Sequence, residues 1–205
     1  MKLAKYIAYF LLLIYLCSLT YSLATVYQRN ETRSQSPFVI WVIDMIDLFI
    51  HEAGHFFFSI FGKFIYILGG SLFQIIIPVA TVIVFYRSTE RSLPFTLYWT
   101  GQSIVNVSVY IGDAPFQKLH LISRVAIHDW HWLMNTMDLM DSAVDIAEVV
   151  NILGIGTCIA GIGIGLYITG KDFFRGEKTL SVQDPNSSPP SARFFTRSLR
   201  STLNF

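Results

Sequence analysis

Residues 38–61 read FVIWVIDMIDLFIHEAGHFFFSIF, an apolar run whose ionisable side chains are Asp44, Asp47, His51, Glu52 and His55. The rest of the chain provides the contrast. Residues 6–28, 64–86, 95–112 and 149–170 contain no Asp, Glu, Lys or Arg, and each run is near the roughly 20 residues needed to cross a bilayer core. Of the 205 residues, 53% are hydrophobic and 14% charged, whereas a soluble domain carries about 25% charged residues. Mean hydropathy is +0.49. In lipid only helices or closed barrels satisfy the backbone, and these runs lack the alternation of barrel strands. The expected fold is all-α: a polytopic transmembrane helical bundle of about five spans, in a multi-pass integral membrane protein.

Helices are expected at about 4–27, 38–62, 64–86, 94–112 and 143–169, giving a single bundle over 1–170 and a mobile polar tail over 171–205. The tail carries Pro185, Pro189, Pro190 and several serines, a composition that does not build a core. Its Arg193, Arg197 and Arg200, interleaved with Phe194 and Phe195, suit an anionic lipid surface; a solvated tail is the alternative. Lys2 and Lys5 before an apolar run, with Ser22-Leu23-Ala24 after it, also fit a signal peptide. The run continues to about Val26, so a retained first span is expected. Gly69-Gly70 and Pro78 predict a bent or broken third helix. Gly161 and Gly165 form a small-xxx-small pair suited to close helix packing. A net charge of +1 without a dense basic run excludes nucleic acid as a partner. Membrane lipid, and either a membrane-protein substrate or partner subunits, are the expected partners.

Within residues 38–61 the ionisable groups are ordered. Positions 44, 47, 51 and 55 recur at helical spacing and form one polar stripe. Histidines four apart project from the same helix face, so His51 and His55 can reach one Zn2+, and Glu52 sits where it can take a proton from metal-activated water. Such groups cost several kcal/mol in hydrocarbon and mark function by default; the alternative is that they only pair with one another inside the bundle. Asp47, one turn before His51, is placed to accept a ring N–H.

His51-Glu52-Ala53-Gly54-His55 within an apolar helix resembles the active-site helix of site-2-protease-like intramembrane zinc metalloproteases. The resemblance implies zinc bound by the two histidines and a distant aspartate, Glu52 as general base, and a membrane-embedded segment of another protein as substrate. This chain lacks that family's usual Leu-Asp-Gly or Asn-Pro-x-x-Asp-Gly pattern.

The third ligand must come from downstream, where His120, His128, His131, Asp113, Asp129, Asp138, Asp141 and Asp145 lie. The second and fourth spans run in the same direction, so depths compare at about 1.5 Å per residue. His51 and His55 come roughly 20–26 Å beyond Phe38, and Asp113 roughly 27 Å beyond Phe95. Asp113 is the expected third ligand, with Asn106 two turns earlier as a substrate or oxyanion contact. His128 or His131 is the alternative, because His128-Asp129-Trp130-His131 returns on the same side. Asp138, Asp141, Asp145 and Glu148 read as a solvated face or as a path for water and protons.

The function expected from these residues is hydrolysis of peptide bonds in membrane proteins by a membrane-embedded zinc metalloprotease. A non-catalytic membrane subunit with a structural or vestigial metal site is the alternative, and an ion or proton path a third reading.

Overall fold

The computed structural model describes residues 2–27, 36–119 and 128–181, and all regular structure among them is helical. Helix α1 (Lys2–Ser22) ends in a π-helical turn, Leu23–Tyr27. Helix α2 (Phe38–Phe58) and helix α3 (Lys63–Ser88) form a hairpin. Helix α4 (Leu93–Asp113), the short helix α5 (Asp129–Thr136) and helix α6 (Ala143–Ser181) follow. Short 3-10 turns at Ser59–Phe61, Glu90–Ser92 and Met140–Ser142 join them. The chain divides into two compact units, 1–168 and 169–205. In the second, α6 continues to Ser181; the tail beyond it, with Arg193, Phe194, Phe195, Arg197 and Arg200, lies outside the described residues, as do His120 and Arg124.

Among the described residues three stretches are long and apolar enough to cross a membrane: Ala4–Thr25, Lys63–Ser88 and Met140–Asp172. Helices α2 and α4 are as long as α1 but fall short in composition, for a reason the packing makes plain. Helix α2 turns Asp44, Asp47 and His51 inward, along with Ile40 and Gly54. Helix α4 is enclosed by its neighbours. Its Tyr98 and Val105 pack with Leu13 and Leu16 of α1, Ile40 of α2 and Cys158 of α6. Its Val107 and Ile111 pack with Met134 of α5 and Ala147 of α6. A helix walled in by others is free to be polar on several faces wherever partners exist, and Gln102, Ser103, Asn106 and Ser108 are all buried.

Glycines set the helix separations. A Cβ on Gly101 would lie 2.6 Å from the Gly154 carbonyl oxygen and 2.6 Å from Cys158 Sγ, and one on Gly154 would lie 2.8 Å from the Gly101 carbonyl. Gly161 faces Leu97 and Pro94 of α4, and Gly165 faces Leu13 of α1 and Pro94, so the small-xxx-small pair serves close packing. At the α2–α3 turn, Gly62 adopts φ +87°, a conformation that non-glycine residues rarely tolerate. Helix α3 is continuous through Gly69-Gly70 and Pro78. Of the bend or break expected there, the break is absent, and the glycines serve close approach to α2: a Cβ on Gly54 would strike the Gly69 carbonyl, and one on Gly69 would lie 2.7 Å from Phe58 Cβ.

Gly101→Val should therefore destabilise the fold by about 1–3 kcal/mol through overpacking. Gly156 has open space around it, so Gly156→Val serves as control. Thermal unfolding in detergent reads the effect, and equal midpoints for the two variants would contradict this account of the α4–α6 contact.

Candidate metal centre

The α2–α3 hairpin orients both motif histidines from outside. His55 Nδ1 lies 2.8 Å from the Tyr66 carbonyl oxygen. That oxygen can only accept, so His55 carries its proton on Nδ1 and directs the Nε2 lone pair the other way. His51 Nδ1 lies 3.2 Å from Gln74 Oε1, which imposes the same tautomer. The ring is buried, 9% exposed, and stacks on Tyr110 of α4 with centroids 6.2 Å apart.

Both Nε2 atoms then meet one carboxylate oxygen. Asp129 Oδ2 is 2.9 Å from His51 Nε2 and 3.1 Å from His55 Nε2. The three residues offer ligand atoms that all lie within 4.8 Å of one another. Two imidazole lone pairs and an anionic oxygen facing one point require a cation there, either protons or a metal ion. The group can hold a metal: a tetrahedral ion with bonds of about 2.0–2.1 Å separates its donors by roughly 3.3 Å, a few tenths more than these distances. Burial raises the Asp129 carboxyl, but the two rings around it, which donate from Nε2 when protonated, outweigh it and hold the group below the usual aspartate value. The carboxylate is therefore an available ligand.

Gly70 makes room for the group. A Cβ there would lie 2.5 Å from His51 Nε2 and 2.6 Å from His55 Nε2, so the α3 backbone itself forms one wall of the centre. Ser71, the next residue, accepts a hydrogen bond from Trp130 Nε1 at 3.0 Å, which pins α5 to that wall. Lys63 Nζ sits 4.7 Å from the Trp132 ring centroid and reinforces the contact.

Asp113, the expected third ligand, is not part of this group. Its Oδ2 is 3.0 Å from His128 Nε2, and its carboxyl also accepts from the backbone N–H groups of Lys118 and Leu119, each at 3.0 Å. His128 is likewise outside the group of His51, His55 and Asp129. It caps α5, with Nδ1 accepting from His131 N–H at 3.3 Å, and so fixes the helix on which Asp129 is the first residue. His131 Nδ1 bonds the Ala114 carbonyl at 2.8 Å. The Asp113 carboxyl is thus engaged in anchoring the chain beyond α4 and the His128 ring that precedes Asp129.

The remaining expectations divide similarly. Asp47 Oδ1 accepts from Trp99 Nε1 at 2.9 Å, and Gln74, not Asp47, receives the His51 ring N–H. Asn106 is buried, 3% exposed, and its amide is bonded to Gln74 and Asp44. Glu52 is exposed, on the flank of α2 next to His55. Asp138, Asp141, Asp145 and Glu148 are all exposed, as a solvated face requires.

No protein-family model matches the chain, and no curated protein or solved structure matches it either. Its chemistry rests on the geometry alone.

Two results should follow. Gly70→Ala should abolish metal retention, whereas Gly156→Ala should leave it intact, as read by elemental analysis of purified protein; full retention in Gly70→Ala would remove the α3 wall from the site. Asp129→Asn should weaken binding more than Asp113→Asn in a cobalt titration, since the first removes a ligand and the second only its anchor. The reverse order would make Asp113 the ligand after all.

Proposed function

We propose that this chain is a membrane-embedded zinc metalloprotease that hydrolyses peptide bonds of membrane proteins. The observation that carries the reading is the convergence of His51, His55 and Asp129 on one point, with Glu52 exposed in the next helical position after His51. Two imidazoles and a carboxylate suit zinc, whereas magnesium and calcium favour all-oxygen sets. Three protein ligands match a catalytic site, which keeps a fourth position open; structural zinc takes four. The resemblance of residues 51–55 to the site-2-protease-like motif agrees with this choice.

Helices α2 and α4 complete a five-span bundle in this reading, each being 21 residues long and so about 31 Å. Membrane lipid then covers the apolar exterior, including Phe49, 70% exposed, and Phe56, 84% exposed.

Zinc held by His51, His55 and Asp129 supplies Lewis acidity and a water of lowered pKa. The protein's own groups do the rest. His51 and His55 keep their Nε2 lone pairs turned inward because Gln74 and the Tyr66 carbonyl take their Nδ1 protons. Glu52 accepts a proton from the attacking water and passes it to the leaving amine. A helical substrate hides its carbonyls in its own hydrogen bonds, so the scissile segment must be unwound when it reaches the exposed Glu52 flank.

Glu52→Gln should retain zinc at the wild-type stoichiometry and cleave a fluorogenic transmembrane peptide in liposomes about 10²–10⁴-fold more slowly, the usual contribution of a general base. Cleavage by this variant at the wild-type rate would sink the mechanism.

A further inference from the structure

The outer nitrogen of His51 begins a chain of buried hydrogen bonds that leads away from the metal centre. His51 Nδ1 meets Gln74 Oε1 at 3.2 Å; Gln74 Nε2 donates to Asn106 Oδ1 at 2.9 Å; Asn106 Nδ2 donates to Asp44 Oδ1 at 2.9 Å. The same Asp44 oxygen receives Gln102 Nε2 at 2.6 Å. Gln74 is 1% exposed, Asn106 3%, Asp44 3% and Gln102 0%, so water does not compete for these bonds.

The direction of the chain follows from its far end. A carboxylate only accepts, so Asn106 must turn its NH2 to Asp44 and its carbonyl oxygen to Gln74. Gln74 must then give its NH2 to Asn106 and its oxygen to His51. The His51 ring is left to donate from Nδ1, which turns the Nε2 lone pair toward Asp129. Each amide is fixed by the one before it, and low local dielectric strengthens every step. A histidine ligand is ordinarily oriented by one acceptor on its second nitrogen; here two amides extend that acceptor from α3, through α4, back to α2.

We propose that Asp44, acting through Asn106 and Gln74, is a positioning residue for the metal centre: it sets the tautomer of His51 and thereby the nitrogen presented to the metal. This rests on the metal-binding part of the reading above and is independent of proteolysis. Asp47, on the same face of α2, accepts from Trp99 through Oδ1 and also hydrogen-bonds to Gln74; it too can only accept there, so it holds the Gln74 amide in the same orientation.

The test uses the full chain in detergent or nanodiscs. Cobalt titration reads affinity, and 15N-histidine NMR of the zinc-loaded protein reads a slowly exchanging Nδ1 proton on His51. Asp44→Asn and Gln74→Ala should each lower cobalt affinity about 10–100-fold, the usual loss when the outer partner of a ligand is removed, and should expose the Nδ1 proton to exchange. Gln74→Glu keeps an acceptor at Nδ1 and should retain the protected proton, a rescue that a purely structural role for Gln74 does not produce. A wild-type protein that binds no cobalt overturns the metal reading and this inference with it. Wild-type binding, with unchanged affinity and a protected proton in both Asp44→Asn and Gln74→Ala, overturns the relay alone.

Discussion

Where α2 crosses α3, the two backbones come so close that Gly54, Gly69 and Gly70 have no space for a Cβ. Much of the centre follows from that approach. It sets the Tyr66 carbonyl against the His55 ring and carries Gln74 to the His51 ring. It also brings the α3 backbone against both Nε2 atoms. The positive φ of Gly62 lets α3 begin directly after the 3-10 turn that ends α2. A larger residue at any of the three glycines would separate the helices and dissolve the geometry of the histidines before it altered a ligand. Gly54 lies inside the motif itself, so the motif encodes packing as well as chemistry.

The second constraint is the cost of polar groups in an apolar interior. Burying an unsatisfied hydrogen-bonding group costs about 1–3 kcal/mol, and α2 brings two aspartates inward. Helix α4 answers with Trp99, Gln102 and Asn106, each donating to one of them. The compensation is incomplete, since Asp47 Oδ2 and Gln102 Oε1 have no hydrogen-bond partner among the described residues. Stability alone would favour apolar residues in their place. A polar core retained at that cost is consistent with a fold that gives up stability to orient a reactive group.

The histidine pair and the inward stripe of α2 were legible in the sequence because helical periodicity fixes which side chains share a face. Four of the five long helices were legible as charge-free runs long enough to count, and α2 as an apolar run with charges at helical spacing, although length and composition mark three helices among the described residues as able to cross a membrane. Asp129 was not legible as the partner of the two histidines. Rise per residue gives height along a helix but no rotation about the bundle, so Asp113 and the histidines were matched in level and not in direction. Asp129 reaches the centre on α5, a helix too short to announce itself by periodicity. Gln74 was missed because a neutral amide in an apolar run carries no charge to flag it. Gly70 was noticed for its backbone and read as part of a bend or break, whereas its lack of a Cβ leaves room for two imidazoles.

The assignment of Asp113 and Asp129 to different tasks has a physical basis. Asp113 ends α4, where its carboxyl captures the N–H groups of Lys118 and Leu119 as the chain leaves the helix. Those bonds, with the one to His128, occupy both of its oxygens. Asp129 stands at the start of α5, and its backbone is fixed by the His128 cap while its carboxyl remains directed at the histidines. One aspartate thus holds the segment and the other meets the metal site, joined through His128 by a single peptide link. A ligand supplied this way takes its position from α4, its height from the Trp130–Ser71 contact on α3, and its partners from α2. Helices α2, α3, α4 and α5 must be assembled before the group of His51, His55 and Asp129 exists, so any metal site there belongs to the completed bundle rather than to the motif helix alone.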